Sequence, residues 1–287
     1  MNILKTTILM ALLTGLMVAI GGAINGSTGA IIMLAISLGI NFFSYWFSDS
    51  IVLKSYNAQE VSENSAPQLF NIVKNLAQKA ELPMPKVYII DSDVPNAFAT
   101  GRNPDHAAVA VTTGIMKALD YNEISGVLGH ELAHVKHRDI LTGTIAASMA
   151  GVISMIANIV QWGAIFGTRS DNDNGGIFGT LATIIVAPIA ASLIQMAISR
   201  SREYDADKTG GELCGDPRYL ASALEKIEYY AQRNTLENST TSTAHMFIVN
   251  PLEGSKKMLK NLFSTHPATE DRILKLNEQA REMHLLN

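Results

Sequence analysis

From Thr6 to Ser48 the chain carries no charged side chain. No other feature narrows the possible folds as much, because such a run is too long for one core helix and too apolar for a wetted surface. About 20 apolar residues cross the hydrocarbon of a bilayer, so the run holds two crossings. It is divided by Asn25-Gly26-Ser27-Thr28-Gly29, a cluster of turn-forming residues. The pattern predicts two helices, over 6–24 and 30–48, joined by a tight turn. A cleaved signal peptide is the rival reading of the first segment. It needs a small-residue cleavage site and leaves the second apolar run unexplained.

The pattern recurs. Residues 140–168 and 174–199 are also free of charge, and between them lies Arg169-Ser170-Asp171-Asn172-Asp173. Pro188 falls inside the last run, where neighbouring membrane helices can satisfy the carbonyl it frees. Buried core helices of a soluble protein are the alternative, and two such hairpins argue against it. Composition agrees: only 17% of residues are charged, against about 25% in soluble domains. Lys5, Lys54, Lys136, Arg138, Arg200 and Arg202 flank the spans on one side, and Arg169 stands alone on the other. The excess of basic residues assigns both termini and the polar segments 49–139 and 199–287 to the cytoplasm. A net charge of −4 offers no basic face for nucleic acid. The single cysteine, Cys214, permits neither an intramolecular disulfide nor a cysteine metal cluster.

The polar segments mix helix and strand. Leu69, Ile72, Val73, Leu76 and Ala80 recur at helical spacing over 66–80. Lys86–Asp91 and Ala107–Thr112 have strand composition. Helices are expected over 114–119, 121–137 and 270–284, and a polar loop over 234–244. The small side chains of 107–112 suit an edge strand to which an extended peptide adds. Ala107 and Val109 are therefore candidate substrate-binding residues, with Asn96 and Ala97 extending the cleft. A plain structural turn at Pro95-Asn96 is the other reading.

Within the expected helix 121–137 stands His130-Glu131-Leu132-Ala133-His134. Residues i and i+4 share a helix face, so both imidazoles can meet one zinc ion, with Glu131 within reach of a zinc-bound water. A catalytic zinc needs a third protein ligand and an open position. His137 is near but rotated away from the His130 position. Glu203 is the stronger candidate: two crossings separate it from His134, and an even number returns the chain to the same membrane face. Asp207, one helical turn further, can orient a zinc-bound imidazole through its other N–H. A solvated, charged helix start is the alternative reading of that segment.

H-E-L-A-H, a membrane hairpin and then Ser199-Arg200-Ser201-Arg202-Glu203-Tyr204-Asp205-Ala206-Asp207 resemble the HtpX group of membrane metallopeptidases, peptidase family M48. Asn96-Ala97-Phe98-Ala99, Phe263-Ser264-Thr265-His266-Pro267 and Arg272 match as well, so the resemblance runs along essentially the whole chain. It implies an α-helical membrane protein with four transmembrane helices in two hairpins and an α+β, zincin-like cytoplasmic protease domain. Hairpins over 1–53 and 140–198 would alternate with protease segments over 54–139 and 199–287. It implies one Zn²⁺ per chain on His130, His134 and Glu203, Glu131 as catalytic base, and His266 as a further catalytic group in an active-site loop. A capping or surface role for His266 stays open. It further implies a multi-pass protease of the bacterial inner membrane acting on unfolded, damaged or membrane proteins. A membrane scaffold with a structural zinc site, and a zinc hydrolase of a non-peptide substrate, are the rival functions. The spans carry no ionisable residue, which argues against a transporter.

Overall fold

The computed structural model describes residues 2–145, 200–233 and 267–285. The long helix α1 (Asn2–Ser55) is broken at Asn25 (φ −143°, ψ 37°) and Gly26 (φ 54°, ψ −142°), inside the expected turn. Gly26 is suited to this break because a residue without Cβ adopts positive φ without strain. The chain then doubles back on itself. A Cβ on Gly21 would lie 2.3 Å from the Gly29 carbonyl oxygen, and Asn41 Nδ2 donates to Thr14 Oγ1 at 2.9 Å. Asn25–Phe47 is long and apolar enough to cross a membrane. Its Ile31, Ile32, Leu34, Ile36 and Leu38 face outward uncovered. The helix breaks again at Phe47 (φ −120°, ψ 16°), beside the expected end of the second helix at Ser48. It continues to Ser55, and Val52 and Leu53 bury in the domain that follows.

That domain has a four-stranded sheet ordered β1-β2-β4-β3, from β1 (Gln59–Val61), β2 (Lys86–Ile90), β3 (Ala97–Gly101) and β4 (Ala107–Thr112). β2 and β4 are parallel; β1–β2 and β3–β4 are antiparallel. The expected strands and the amphipathic helix, α2 (Pro67–Ala80), are present. The expected edge is not. β4 is paired on both sides, with Ala107 and Val109 6% and 0% exposed, so neither residue can receive a substrate strand. Small side chains there allow close packing inside the sheet, and β3 forms the edge.

One sheet face, with Val87, Ala97, Val109 and Val111, packs on the apolar faces of α2 and α4 (Tyr121–Lys136). The other, with Ile90, Phe98, Ala108 and Ala110, packs on Val52, Leu53 and Tyr56 at the foot of α1. A short α3 (Thr113–Ala118) leads into α4. Against α4 lie α5 (Arg200–Cys214) and α6 (Arg218–Arg233), and α7 (Thr269–Glu282) closes the bundle over α5 and α6. Residues 140–145 begin a further helix. The greater part of the second expected hairpin, the loop 234–244 and His266 lie outside the described residues.

Candidate metal centre

α4 starts from a capping box: Asp120 accepts from the Asn122 and Glu123 N–H groups, and Glu123 accepts from Asp120 N–H, each at 2.9 Å. Such reciprocal capping satisfies donors that a helix start leaves unpaired. Glu123 is also tied to α6 through Ser222 and Lys226, each bond 2.7 Å long. Val127, Leu128, Leu132, Ala133 and Val135 bury fully and fix the rotation of the helix. His130 and His134 consequently share one face, with Nε2 atoms 3.1 Å apart.

α5 supplies the third group because it crosses α4 at two glycines. A Cβ on Gly210 would lie 2.6 Å from His130 N, and one on Gly129 would lie 2.8 Å from Gly210 O. At this separation Glu203 Oε2 lies 3.8 Å from His130 Nε2, and Oε1 lies 3.7 Å from His134 Nε2. Among the described residues these three could hold a metal ion, their ligand atoms all within 4.8 Å of one another. Ligands on a tetrahedral zinc at about 2.0–2.1 Å stand roughly 3.3 Å apart, so the donor set fits that ion. His137 caps α4 and stands 3.3 Å from Thr209 Oγ1, outside the cluster.

Each histidine has a carboxylate behind it. Asp207 Oδ1 is 2.9 Å from His130 Nδ1, and Asp139 oxygens are 3.2 Å from His134 Nδ1. Each carboxylate in turn meets an arginine. Arg272, 1% exposed, grips Asp207 with two bonds of 2.8 and 2.6 Å. Arg202 Nε stands 3.9 Å from Asp139. Burial opposes charge on Asp207, but the Arg272 guanidinium outweighs it and holds the carboxyl down at about 2. Burial also opposes charge on His134. The bond to Asp139 and the charges of Glu203, Asp139 and Glu131 outweigh it and push the imidazole up to about 9.

Asp207, a candidate from its spacing after Glu203, stands behind His130, whereas Asp139 belongs to no motif in the sequence. Its available signal was an acidic residue just past the helix end that carries His134. Arg138 adopts φ 57°, and this left-handed turn swings Asp139 back until its N–H donates to the His134 carbonyl at 3.2 Å.

Glu131 is buried at 7% exposure, and its Oε2 accepts from Ala99 N–H at 2.8 Å. The edge strand β3 thus runs beside the carboxylate. Thr112 N–H donates to Asn96 O at 2.9 Å, and alternation along an antiparallel pair turns the backbone groups of Ala97 and Ala99 away from β4. Asn96 itself is 2% exposed, and its backbone is bonded to Thr112.

Two imidazoles, a distant carboxylate and a neighbouring glutamate beside an edge strand are the layout of a metal-dependent peptide hydrolase. A model of peptidase family M48 matches residues 63–280, and the chain belongs to that family. The protease HtpX homolog of Methylibium petroleiphilum is 57% identical over 278 residues, covering 96% of each chain. That of Burkholderia multivorans is 56% identical over 284 residues, covering 98% of each. The crystal structure of S. mikatae Ste24p matches with a TM-score of 0.52 and 17% identity, over 96% of this chain and 67% of that one, a likeness of fold.

Proposed function

We propose that this chain is a multi-pass zinc endopeptidase of the bacterial inner membrane that hydrolyses peptide bonds in damaged, unfolded or membrane proteins. The observation that carries this reading is the convergence of His130, His134 and Glu203 from two helices far apart in sequence, with Glu131 beside them. The four charge-free segments form two membrane hairpins, over 1–53 and 140–198. The protease segments 54–139 and 199–287 face the cytoplasm, as do both termini.

His130, His134 and Glu203 would hold one zinc ion. When bound, zinc supplies a Lewis acid that polarises the peptide carbonyl and acidifies water to a pKa of about 7. Glu131 accepts a proton from the attacking water and delivers it to the leaving amine. Its bond from Ala99 N–H keeps the carboxylate aimed beside the edge strand. The other outward backbone groups of β3, those of Ala97 and the Ala99 carbonyl, align an extended substrate as an added strand. Asp207 and Asp139 fix the imidazole rings, so that Nε2 of each faces the cluster. His266 is a further donor to the developing oxyanion.

Glu131→Ala tests the reading. The purified variant should keep its zinc and lose proteolysis of an unfolded substrate such as casein. Undiminished cutting would reject the proposal, and a chelator should abolish activity in the parent.

A further inference from the structure

The edge strand is fastened to the membrane segments by side chains that the reaction does not use. Phe98, Thr100 and Arg102 follow one another at the two-residue repeat that puts strand side chains on one face. Phe98 packs on Val52 and Leu53, its ring 5.4 Å from that of Tyr56. Thr100 Oγ1 lies 3.2 Å from Thr144 Oγ1, within the start of the third expected span. Arg102 donates to the Trp46 carbonyl at 3.3 Å and lies 4.9 Å over the Trp46 ring. Trp46 and Thr144 lie near the ends of charge-free stretches, and Val52, Leu53 and Tyr56 follow shortly after the first.

These contacts fix the height of the cleft above the bilayer. Trp46 stands with Phe42, Phe43, Tyr45 and Phe47 in an exposed aromatic cluster at the end of the span Asn25–Phe47. Tryptophan and tyrosine gather at the headgroup level. Arg102 is therefore at that level, and Ala99, which touches Glu131, is three strand residues away, or about 10 Å. α4 gives the same height independently. Asp139, behind His134, directly precedes Ile140, where the second charge-free stretch begins. Thr142 pairs at 3.2 Å with Thr6, the first residue of the earlier stretch, so the two apolar stretches begin at one level.

We infer that the cleft admits an extended segment adjoining a membrane span, and that cleavage falls within the first few residues outside the bilayer whatever their sequence. The inference rests on the membrane peptidase reading above and adds the substrate class. A peptide laid along β3 leaves it at the Arg102 end, at headgroup height, where a spanning helix begins. Tethering in the bilayer also raises the local concentration of such a segment, which lowers KM and leaves kcat alone.

The test uses the full chain in lipid nanodiscs together with a substrate in which one hydrophobic helix precedes three tandem copies of a single cleavable heptapeptide. Each extended copy spans about 23 Å, so sequence is constant while distance changes. Mass spectrometry should find the membrane-proximal copy cut at least about tenfold faster than the third. Equal cutting of all copies overturns the inference. Arg102→Ala combined with Trp46→Ala should spread the cuts outward, while kcat on an untethered soluble heptapeptide stays at the parent value. A double variant that keeps the sharp proximal preference also overturns it. If the soluble peptide is cut in a chelator-sensitive way but the copies are cut alike, this inference alone fails. If neither substrate is cut, the peptidase reading fails with it.

Discussion

Between His130 and Arg272 runs a line of three groups: an imidazole, the Asp207 carboxylate and a buried guanidinium. A carboxylate this deep is stable because both its oxygens are claimed by one planar donor. Asp139 with Arg202 repeats the arrangement behind His134 more loosely. Such partners fix ring orientation and ligand basicity, and losing one typically costs about 10–100-fold in metal affinity. Asp207→Asn and Asp139→Asn should each weaken zinc binding by about that factor, measured by competition with a chromogenic chelator. Unchanged affinity in both would show that the carboxylates only fill space. The charge on His134 has a second consequence. Its imidazole sits at about 9 in the metal-free protein, so at neutral pH a proton occupies the ring that the metal needs. Loading displaces that proton. Apparent affinity should therefore rise about tenfold per pH unit through neutrality and flatten as pH passes the raised value. Titrations that give one affinity from pH 6 to 8 would contradict this. The grouping of His130, Glu131 and His134 is legible in the sequence because one helix turn places them together. Asp139 is not, because a left-handed Arg138 brings it back, and basic residues beside a span read first as topology signals.

Whether two helices approach closely enough to share a metal is decided where they cross. At Gly129 and Gly210 the α4–α5 backbones meet with no room for a Cβ on either side. Gly210→Ala would drive a methyl into the backbone of His130, which cannot yield as a flexible side chain can. Overpacking of this kind costs roughly 1–3 kcal/mol. The displacement also carries Glu203 away from the histidines. The variant should melt at lower temperature and bind zinc at least about tenfold more weakly; normal affinity with a lowered melting temperature would separate stability from the site. These glycines show why element pairing was harder to read than the elements. α2, β2, β4 and α4 follow from local periodicity and composition. β3, Ala97–Gly101, has small residues, one phenylalanine and a terminal glycine, so its strand character comes from pairing with β4. The order β1-β2-β4-β3 is likewise a property of the assembled sheet. Small side chains over 107–112 fit an interior strand as well as an edge, and sequence alone does not rank the two.

The proposed metal centre requires two distant segments to return to one membrane face. His134 and Glu203 are separated by two charge-free runs with Arg169-Ser170-Asp171-Asn172-Asp173 between them. Two crossings would bring His130, His134 and Glu203 to one face, as the proposed metal centre requires, whereas a single crossing would put them on opposite sides of the bilayer. The Thr6–Thr142 pair shows that the first and second charge-free stretches begin side by side. In the proposed topology the bilayer surface would be the floor of the cleft. Thiol labelling tests this directly, because Cys214 is the chain's one cysteine and Cys214→Ser gives a clean background. In intact spheroplasts an impermeant maleimide should label Asn172→Cys. Asn64→Cys and Glu278→Cys, both on exposed positions of the protease segments, should react only after permeabilisation. Labelling of these two positions from opposite faces would separate His134 from Glu203 by the thickness of a membrane, and no arrangement of helices could then join them around one ion.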